Sequence, residues 1–310
     1  MVSFRFHLVS LVAVFLALGL GVLTGTTVIN RGLVARLEDQ TNDLRADADR
    51  LRADVDRLSG QVETWSAFGD EVMDALLTGR LEGQRVVVVA QEGTDDTTID
   101  GVLAALRLAL GEEDGALVGP FSVSGRMALR SEGDRTELAS ILGADPTSEA
   151  EVLQAQAANR LAQRLAFGAP GDEVLEGLIE AGFLVDEGPQ LGEADLQDLG
   201  GEGELVLALA GGPDGTGLGP ERFMVPLVSD LATDGGTVAA AEPATGESSG
   251  PSFVDLLRAD GAVSARIATQ DNVDQRPGQI GIVLALEDLA RGVGGHYGTE
   301  DGATSVVPPV

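Results

Sequence analysis

The sequence predicts an α/β protein carried on a membrane helix: an N-terminal transmembrane helix, a coiled-coil stalk, then a mostly parallel α/β sandwich with a helical insertion. Three observations predict this. Leu8–Ile29, LVSLVAVFLALGLGVLTGTTVI, is 22 residues long and carries no charge. From Val34 to Trp65, apolar residues recur every seven positions. Beyond Gln84, short apolar runs alternate with helix-patterned stretches, starting with RVVVVA. The expected segments are an anchor at 1–30, a stalk at 31–80, a globular domain at 81–298 and a weakly ordered tail at 299–310.

The anchor is argued from length. A bilayer core requires ~20 apolar residues in helical form. A secretory signal has a shorter apolar run, ~7–15 residues, followed by an A-x-A-like cleavage site. The stretch after this run, TGTTVINRGLVARL, has no such site. A retained helix is therefore expected. Ala13, Ala17, Gly21 and Gly25 fall four residues apart and share one helix stripe. In lipid, helices associate by close packing at small residues, so this stripe is the expected transmembrane packing face.

The stalk follows from period. Leu37, Leu44, Leu51 and Leu58 occupy d positions, with Trp65 continuing the series. Val34, Thr41, Ala48, Val55 and Val62 occupy a. Five heptads in register predict a coiled coil, and Val at a with Leu at d favours a parallel pair. In such a pair Asp47 at g faces Arg52 at the following e. A single amphipathic helix packed on its own domain would give a similar pattern. The small-residue stripe and the heptads together predict a parallel homo-oligomer. Gly69 interrupts the period, and Gly79 and Gly83 are expected to end the stalk.

The body opens with a strand at Arg85–Ala90, four valines without alternation, as in a strand buried on both faces. A helix is expected over Thr98–Leu110 and a second strand over Ala116–Val123. That β-α-β unit predicts a parallel sheet. Helical pattern then covers Thr136–Leu142, Ala150–Ala166 and Glu173–Ala181, the insertion. The alternation resumes with ELVLALAGG (204–212), RFMVPLVSDLA, GTVAAAE (236–242), FVDLLRAD and AVSARIAT (262–269), and ends in a helix over Gln279–Arg291. Nothing has the ~10-residue alternating strands of a membrane β-barrel.

Composition narrows the function. There are 50 acidic residues, 20 arginines and no lysine, for a net charge of −30. The charge is +1 on 1–30, −4 on 31–80 and −27 on 81–310. Such a body does not bind nucleic acid. A hydrophobic share of 44% is ample for a core, so the acidic chain folds. Without cysteine there is no disulfide, thiolate metal site or thiol nucleophile. Without lysine there is no Walker lysine and no Schiff base. His7, at the membrane edge, and His296 are the only imidazoles. With no G-x-S-x-G elbow either, the chain is read as a non-enzyme, with no catalytic residue and no cofactor assigned.

Three loops at strand ends are the places for a ligand, because open parallel sheets bind at the carboxyl ends of their strands. In QEGTDD, Asp95 and Asp96 precede a helix and are read as caps. GGPDGTGLGP (211–220) is glycine-rich but matches neither G-x-x-x-x-G-K-[ST] nor G-x-G-x-x-G. In TQDNVDQRPG (269–278), Asp271, Asn272 and Asp274 place several oxygens in a short arc that suits a hard cation. Asx turns give the same composition without a ligand. With His296, these three are the candidate metal-binding residues. GGHYG (294–298) has glycines on both sides of an aromatic, which lets the chain fold closely. The methionines, Met1, Met73, Met127 and Met224, show no M-x-x-M pairing.

MVSFRFHLVSLVAVFLALGLGVLTG, the leucine heptads, RVVVVA, TQDNVDQRPGQIGIVLAL and GGHYG together resemble the actinobacterial copper transporter family. The resemblance spans nearly the whole chain and is most specific over 1–30 and 269–298. It implies an envelope protein of copper efflux or copper resistance, described as channel-forming, with copper as the transported ion. It also implies a globular domain outside the cytoplasm. Locally, Arg31, Arg36, Arg45 and Arg50 follow the apolar run and only Arg5 precedes it, which favours the opposite orientation; long domains translocate largely regardless of such charge. A non-catalytic envelope scaffold, with the α/β domain as its recognition module and an envelope protein as partner, is the other reading the stalk supports. An enzyme on a flavodoxin-like or amidotransferase-like body ranks last, given the missing cysteine and the single body histidine.

Overall fold

The computed structural model describes residues 4–111, 116–168, 173–188, 196, 198–201, 203–211, 218–244 and 251–309, with side chains at 6–25, at 37 and from 40 onward. The chain divides into two compact units, Met1–Trp65 and Ser66–Val310. Residues 212–217 of the glycine-rich loop lie outside the described residues.

The first unit is helical. Helix α1 is Phe4–Leu77, and its first part contains the stretch Phe6–Gly25, long and apolar enough to cross a membrane. Leu11, Phe15, Leu18 and Leu23 are exposed there. Leu37, Leu44, Leu51, Val55, Leu58 and Val62 are each between 51% and 70% exposed, so these heptad positions lie uncovered among the described residues. Around it, Arg50 pairs with Asp47 and Arg52 with Asp49, both at 2.8 Å.

The second unit takes in the last turns of α1. The helix runs through Gly69, where the sequence pattern suggested an interruption. A Cβ at Gly69 would lie 2.7 Å from Arg276 Cβ, and Arg276 Nε meets Asp70 Oδ1 at 2.6 Å. The glycine marks a close approach between packed segments. Met73 and Leu77 are buried just beyond it.

The elements that follow are β1 (Arg85–Gln91), α2 (Asp96–Leu110), β2 (Leu117–Val123), α3 (Glu132–Leu142), α4 (Ala150–Phe167), α5 (Val174–Glu180), β3 (Leu184–Asp186) and β4 (Glu204–Leu209). Then come α6 (Met224–Asp234), β5 (Thr237–Glu242), α7 (Phe253–Ala259), α8 (Gly261–Ser264), β6 (Ala268–Asp271), α9 (Arg276–Ala290) and β7 (Gly295–Tyr297). They form one seven-stranded mixed sheet of order β3-β2-β1-β4-β5-β6-β7. Every pairing is parallel except that of β2 with β3.

The four valines of β1 explain the layering. Val86 and Val88 point into a cluster with α2, α9, Met73 and Leu77. Val87 and Val89 point into a second cluster with α4, α5, α6 and α7. Each face of the strand is therefore dry, and alternation has no use. Helices α3, α4 and α5 are the insertion between β2 and β3.

The structure corrects the sequence reading at three places. AVSARIAT is not one strand: Asp260 accepts from the Ala262 amide at 2.9 Å and caps the short helix α8, and β6 begins only at Ala268. TQDNVDQRPG is not all loop, since Thr269–Asp271 lie in β6 and α9 starts at Arg276. Two three-residue strands, β3 and β7, give too short a pattern to read, and β7 lies within GGHYG.

Candidate functional site

One group of buried polar side chains of the second unit meets at the carboxyl ends of β5, β6 and β7. Asp271 is the last residue of β6 and is fully buried. Its Oδ2 lies 2.9 Å from Arg258 Nη1, an arginine of α7 that is itself buried. Its Oδ1 accepts from the Thr299 amide at 2.5 Å and the Glu300 amide at 3.0 Å. Gly298 precedes this turn at φ 133°, and a Cβ there would run into the Asp271 carboxylate. Asp271 thus pins α7 and the segment after β7 to the end of the sheet.

Arg258 spreads the same connection. Its Nε donates to Thr269 Oγ1 at 3.0 Å, its Nη2 to Tyr297 O at 2.9 Å and its Nη1 to Asp301 O at 3.3 Å. Thr269 Oγ1 lies 3.0 Å from His296 Nδ1, and Ser264 Oγ lies 2.7 Å from His296 Nε2. Since Thr269 Oγ1 already accepts from Arg258, the consistent assignment has its hydroxyl donating to Nδ1, with Nε2–H donating to Ser264. Burial, then the Arg258 charge, pushes the His296 pKa down. A serine beside an imidazole invites comparison with a nucleophile and its base. Here Nδ1 faces a hydroxyl and not a carboxylate, and a guanidinium stands behind it. Both features oppose the imidazolium that such chemistry requires.

Glu242 ends β5 and is also buried. Ser252 Oγ donates to its Oε1 at 2.6 Å and the Val254 amide to its Oε2 at 3.1 Å, so it holds the start of α7. Burial raises its pKa to about 7 against the pull of those hydrogen bonds, with Glu300 and Asp255 adding to the rise. Its backbone oxygen accepts from the Asn272 and Val273 amides.

The sequence-derived candidates are placed as follows. Asp271 is committed to Arg258 and two amides. Asn272 has φ 100°, and its Oδ1 accepts from Gln270 Nε2 at 2.7 Å. A Cβ at Gly278 would collide with Asn272 O, which accounts for a glycine inside the first turn of α9. Asp274 Oδ1 accepts from the Ala244 amide at 2.7 Å. Both nitrogens of His296 face hydroxyls. Among the described residues no group of three or more His, Asp or Glu side chains could hold a metal ion. Met73 packs in one core cluster, and Met127 and Met224 in the other. Asp95 caps α2 through the Thr98 amide at 3.1 Å, as its position predicts.

Sequence reasoning missed Arg258, Glu242, Thr269 and Ser264. The odd GGHYG and the polar run TQDN were signals for the right corner of the sheet, but they named only one side of each contact.

A family model described as "Copper transport outer membrane protein, MctB" matches residues 1–308. The chain is 29% identical to the copper transporter MctB of Mycobacterium tuberculosis (strain ATCC 25618 / H37Rv), over 99% of both chains. It is 30% identical to the copper transporter MctB of Mycobacterium leprae (strain TN), over 100% of both.

Proposed function

Because the chain belongs to the MctB family of copper transport proteins, we propose that it is a membrane-anchored cell-envelope protein of copper efflux and copper homeostasis. The observation that carries this reading is the family match over anchor, stalk and sheet domain together. Copper is the cargo. Soft Cu(I) is held by thiolate or thioether and Cu(II) by imidazole. The chain has no cysteine, its described methionines are in the core and His296 is occupied by hydroxyls. In this reading the sheet domain does not hold the cargo, and the copper path forms where several chains meet, as an oligomeric channel component.

The chain associates as a parallel homo-oligomer. The exposed a and d residues support this, and the heptad register would set Asp47 at g opposite Arg52 at e of a neighbour. Their pairs within the chain are exposed and worth little, so exchanging them costs little. Because the chain lacks cysteine, Leu51→Cys introduces a unique thiol. Oxidation is expected to give a disulfide-linked pair; a chain that stays single would remove the parallel stalk. The globular domain faces away from the cytoplasm. A C-terminal tag is expected to be cleaved by protease added to spheroplasts, and a protected tag would reverse the orientation.

The functional test is a deletion strain. It is expected to accumulate copper and lose copper tolerance, with the native chain restoring both. Unchanged accumulation and tolerance would end the copper reading. A second reading, a non-catalytic envelope scaffold, draws on the uncovered stalk. It predicts a stable envelope partner in a crosslinked pulldown that Leu44→Asp with Leu51→Asp abolishes while copper levels stay normal.

A further inference from the structure

We propose that the stalk carries a second interface on its back, and that this face joins one parallel pair of chains to the stalk of a neighbouring pair. The inference rests on the paired stalk proposed above and deepens it. With Leu51 at d and Val55 at a, the f positions lie farthest from the seam, with b on one side and c on the other. The face of a helix turned away from its packing stripe is ordinarily charged or polar. Here f is Ala46, Ala53 and Gly60, all exposed. A Cβ at Gly60 would meet nothing within 4 Å. A glycine inside an exposed helix is destabilising relative to alanine. No packing within the chain calls for it, whereas a close approach from outside the chain does.

The alanines alone reflect helix propensity; the charges beside them point to the partner. On one side b is Asp49, Asp56 and Glu63, and on the other c is Arg50 and Arg57. Two helices packed in parallel through f set b of one against c of the other, as g meets e across a seam. Asp49 and Asp56 then face Arg50 and Arg57 of the neighbour. Above Asp49 the match ends, since b is Asn42 and c is Asp43. Antiparallel packing would set acid against acid, and chains that share one membrane through their amino-terminal spans run parallel.

The ion pairs within the chain say how these charges become free. Arg50 pairs with Asp47 and Arg52 with Asp49, each at 2.8 Å. The seam sets Asp47 at g opposite Arg52 at e of its partner. That exchange takes one member of each pair and leaves Arg50 and Asp49 behind. The two left over are of opposite sign and sit at c and b, flanking the row of small residues. Pairing along the seam therefore prepares the back, and a neighbouring pair satisfies both charges. Arg57 is held by Asp54 at 3.3 Å with both side chains more than half exposed, so it exchanges as readily. Stalks joined in this way gather the anchors of several pairs, which a lone pair does not.

The test is disulfide trapping in membranes of cells making the full-length chain, with diamide as oxidant and non-reducing gels as the readout. The chain has no cysteine, so each introduced thiol is unique. Leu51→Cys reports the seam and Ala53→Cys the back. Each alone is expected to give a two-chain product, and both together a ladder that climbs beyond it. Asp49→Arg with Asp56→Arg is expected to cut the Ala53→Cys product by about three- to ten-fold and to leave the Leu51→Cys product unchanged. Adding Arg50→Asp with Arg57→Asp is expected to restore it, because the signs are complementary again. Gly60→Trp is expected to remove the Ala53→Cys product alone. A Leu51→Cys product with none from Ala53→Cys overturns the back face and leaves the paired stalk standing. An Ala53→Cys product indifferent to the charge reversal and to Gly60→Trp is random collision and overturns it too. Absence of the Leu51→Cys product removes the paired stalk, and the back face with it.

Discussion

Residues 6–65 and residues 66–309 put the same apolar side chains to opposite use. The described leucines and valines over Leu8–Leu23 and Leu37–Val62 of α1 stand in the open, while those of the sheet are almost all below a tenth exposed. In the sheet each apolar face finds its cover within the chain. In α1 the apolar stripes are proposed to change partner with position: lipid over Phe6–Gly25, which is long and apolar enough to cross a membrane, and a second copy from Leu37 to Val62. A long helix with uncovered stripes is thus incomplete alone, and the chain's stability and its associations are separable properties.

The largest expected effect breaks the self-sufficient half. Arg258→Ala leaves Asp271 buried without its cation, and such a loss costs about 3–5 kcal/mol. Urea unfolding of the sheet domain should shift accordingly, with the helical signal of α1 outlasting it. Next comes Glu242→Gln. The folded pKa of Glu242 is raised from 4.5 to about 7, so its stabilising protonated form is complete below pH 4.5 and is lost as pH rises through 7. The variant should therefore be more stable than the native chain at pH 8, by up to about 3 kcal/mol, and nearly equal to it at pH 4.5. Thermal unfolding at the two pH values checks this.

Leu51→Ala sharpens the comparison from the other side. In a lone chain an exposed leucine contributes within about 0.5 kcal/mol. In a parallel pair each buried leucine contributes about 1.5–3 kcal/mol. Sedimentation should register weaker association with no change in unfolding of the sheet domain. The smallest effect belongs to Arg52→Ala, about 0.3–0.5 kcal/mol whether it pairs with Asp49 or across a stalk. Salt should erase even that.

What could be read in advance follows the range of the interactions. RVVVVA declares a strand dry on both faces, and Asp95 declares a cap, because each is a local matter. Asp260 is a cap of the same kind, but it sits before Ala262–Ala265, whose apolar residues mimic a strand. Gly69 reads as a breaker until Arg276 is seen against it. The polar corner is legible only in fragments. Arg258 looks like the solvated face of FVDLLRAD, and Glu242 like the polar end of a strand, because each acquires its meaning from residues distant in the chain. Asp271 and His296 carry the donor atoms of a metal ligand, and their partners are protein groups.

The ties from Gly298, Thr299, Glu300 and Thr304 to the sheet also set a timetable. A chain made from its amino end has α1 and most strands in hand long before residue 299 leaves the ribosome. Until then, the Asp271 carboxylate lacks both of its amides and the Arg258 guanidinium lacks two of its carbonyls. The far edge of the sheet therefore closes last, when the other strands are already made.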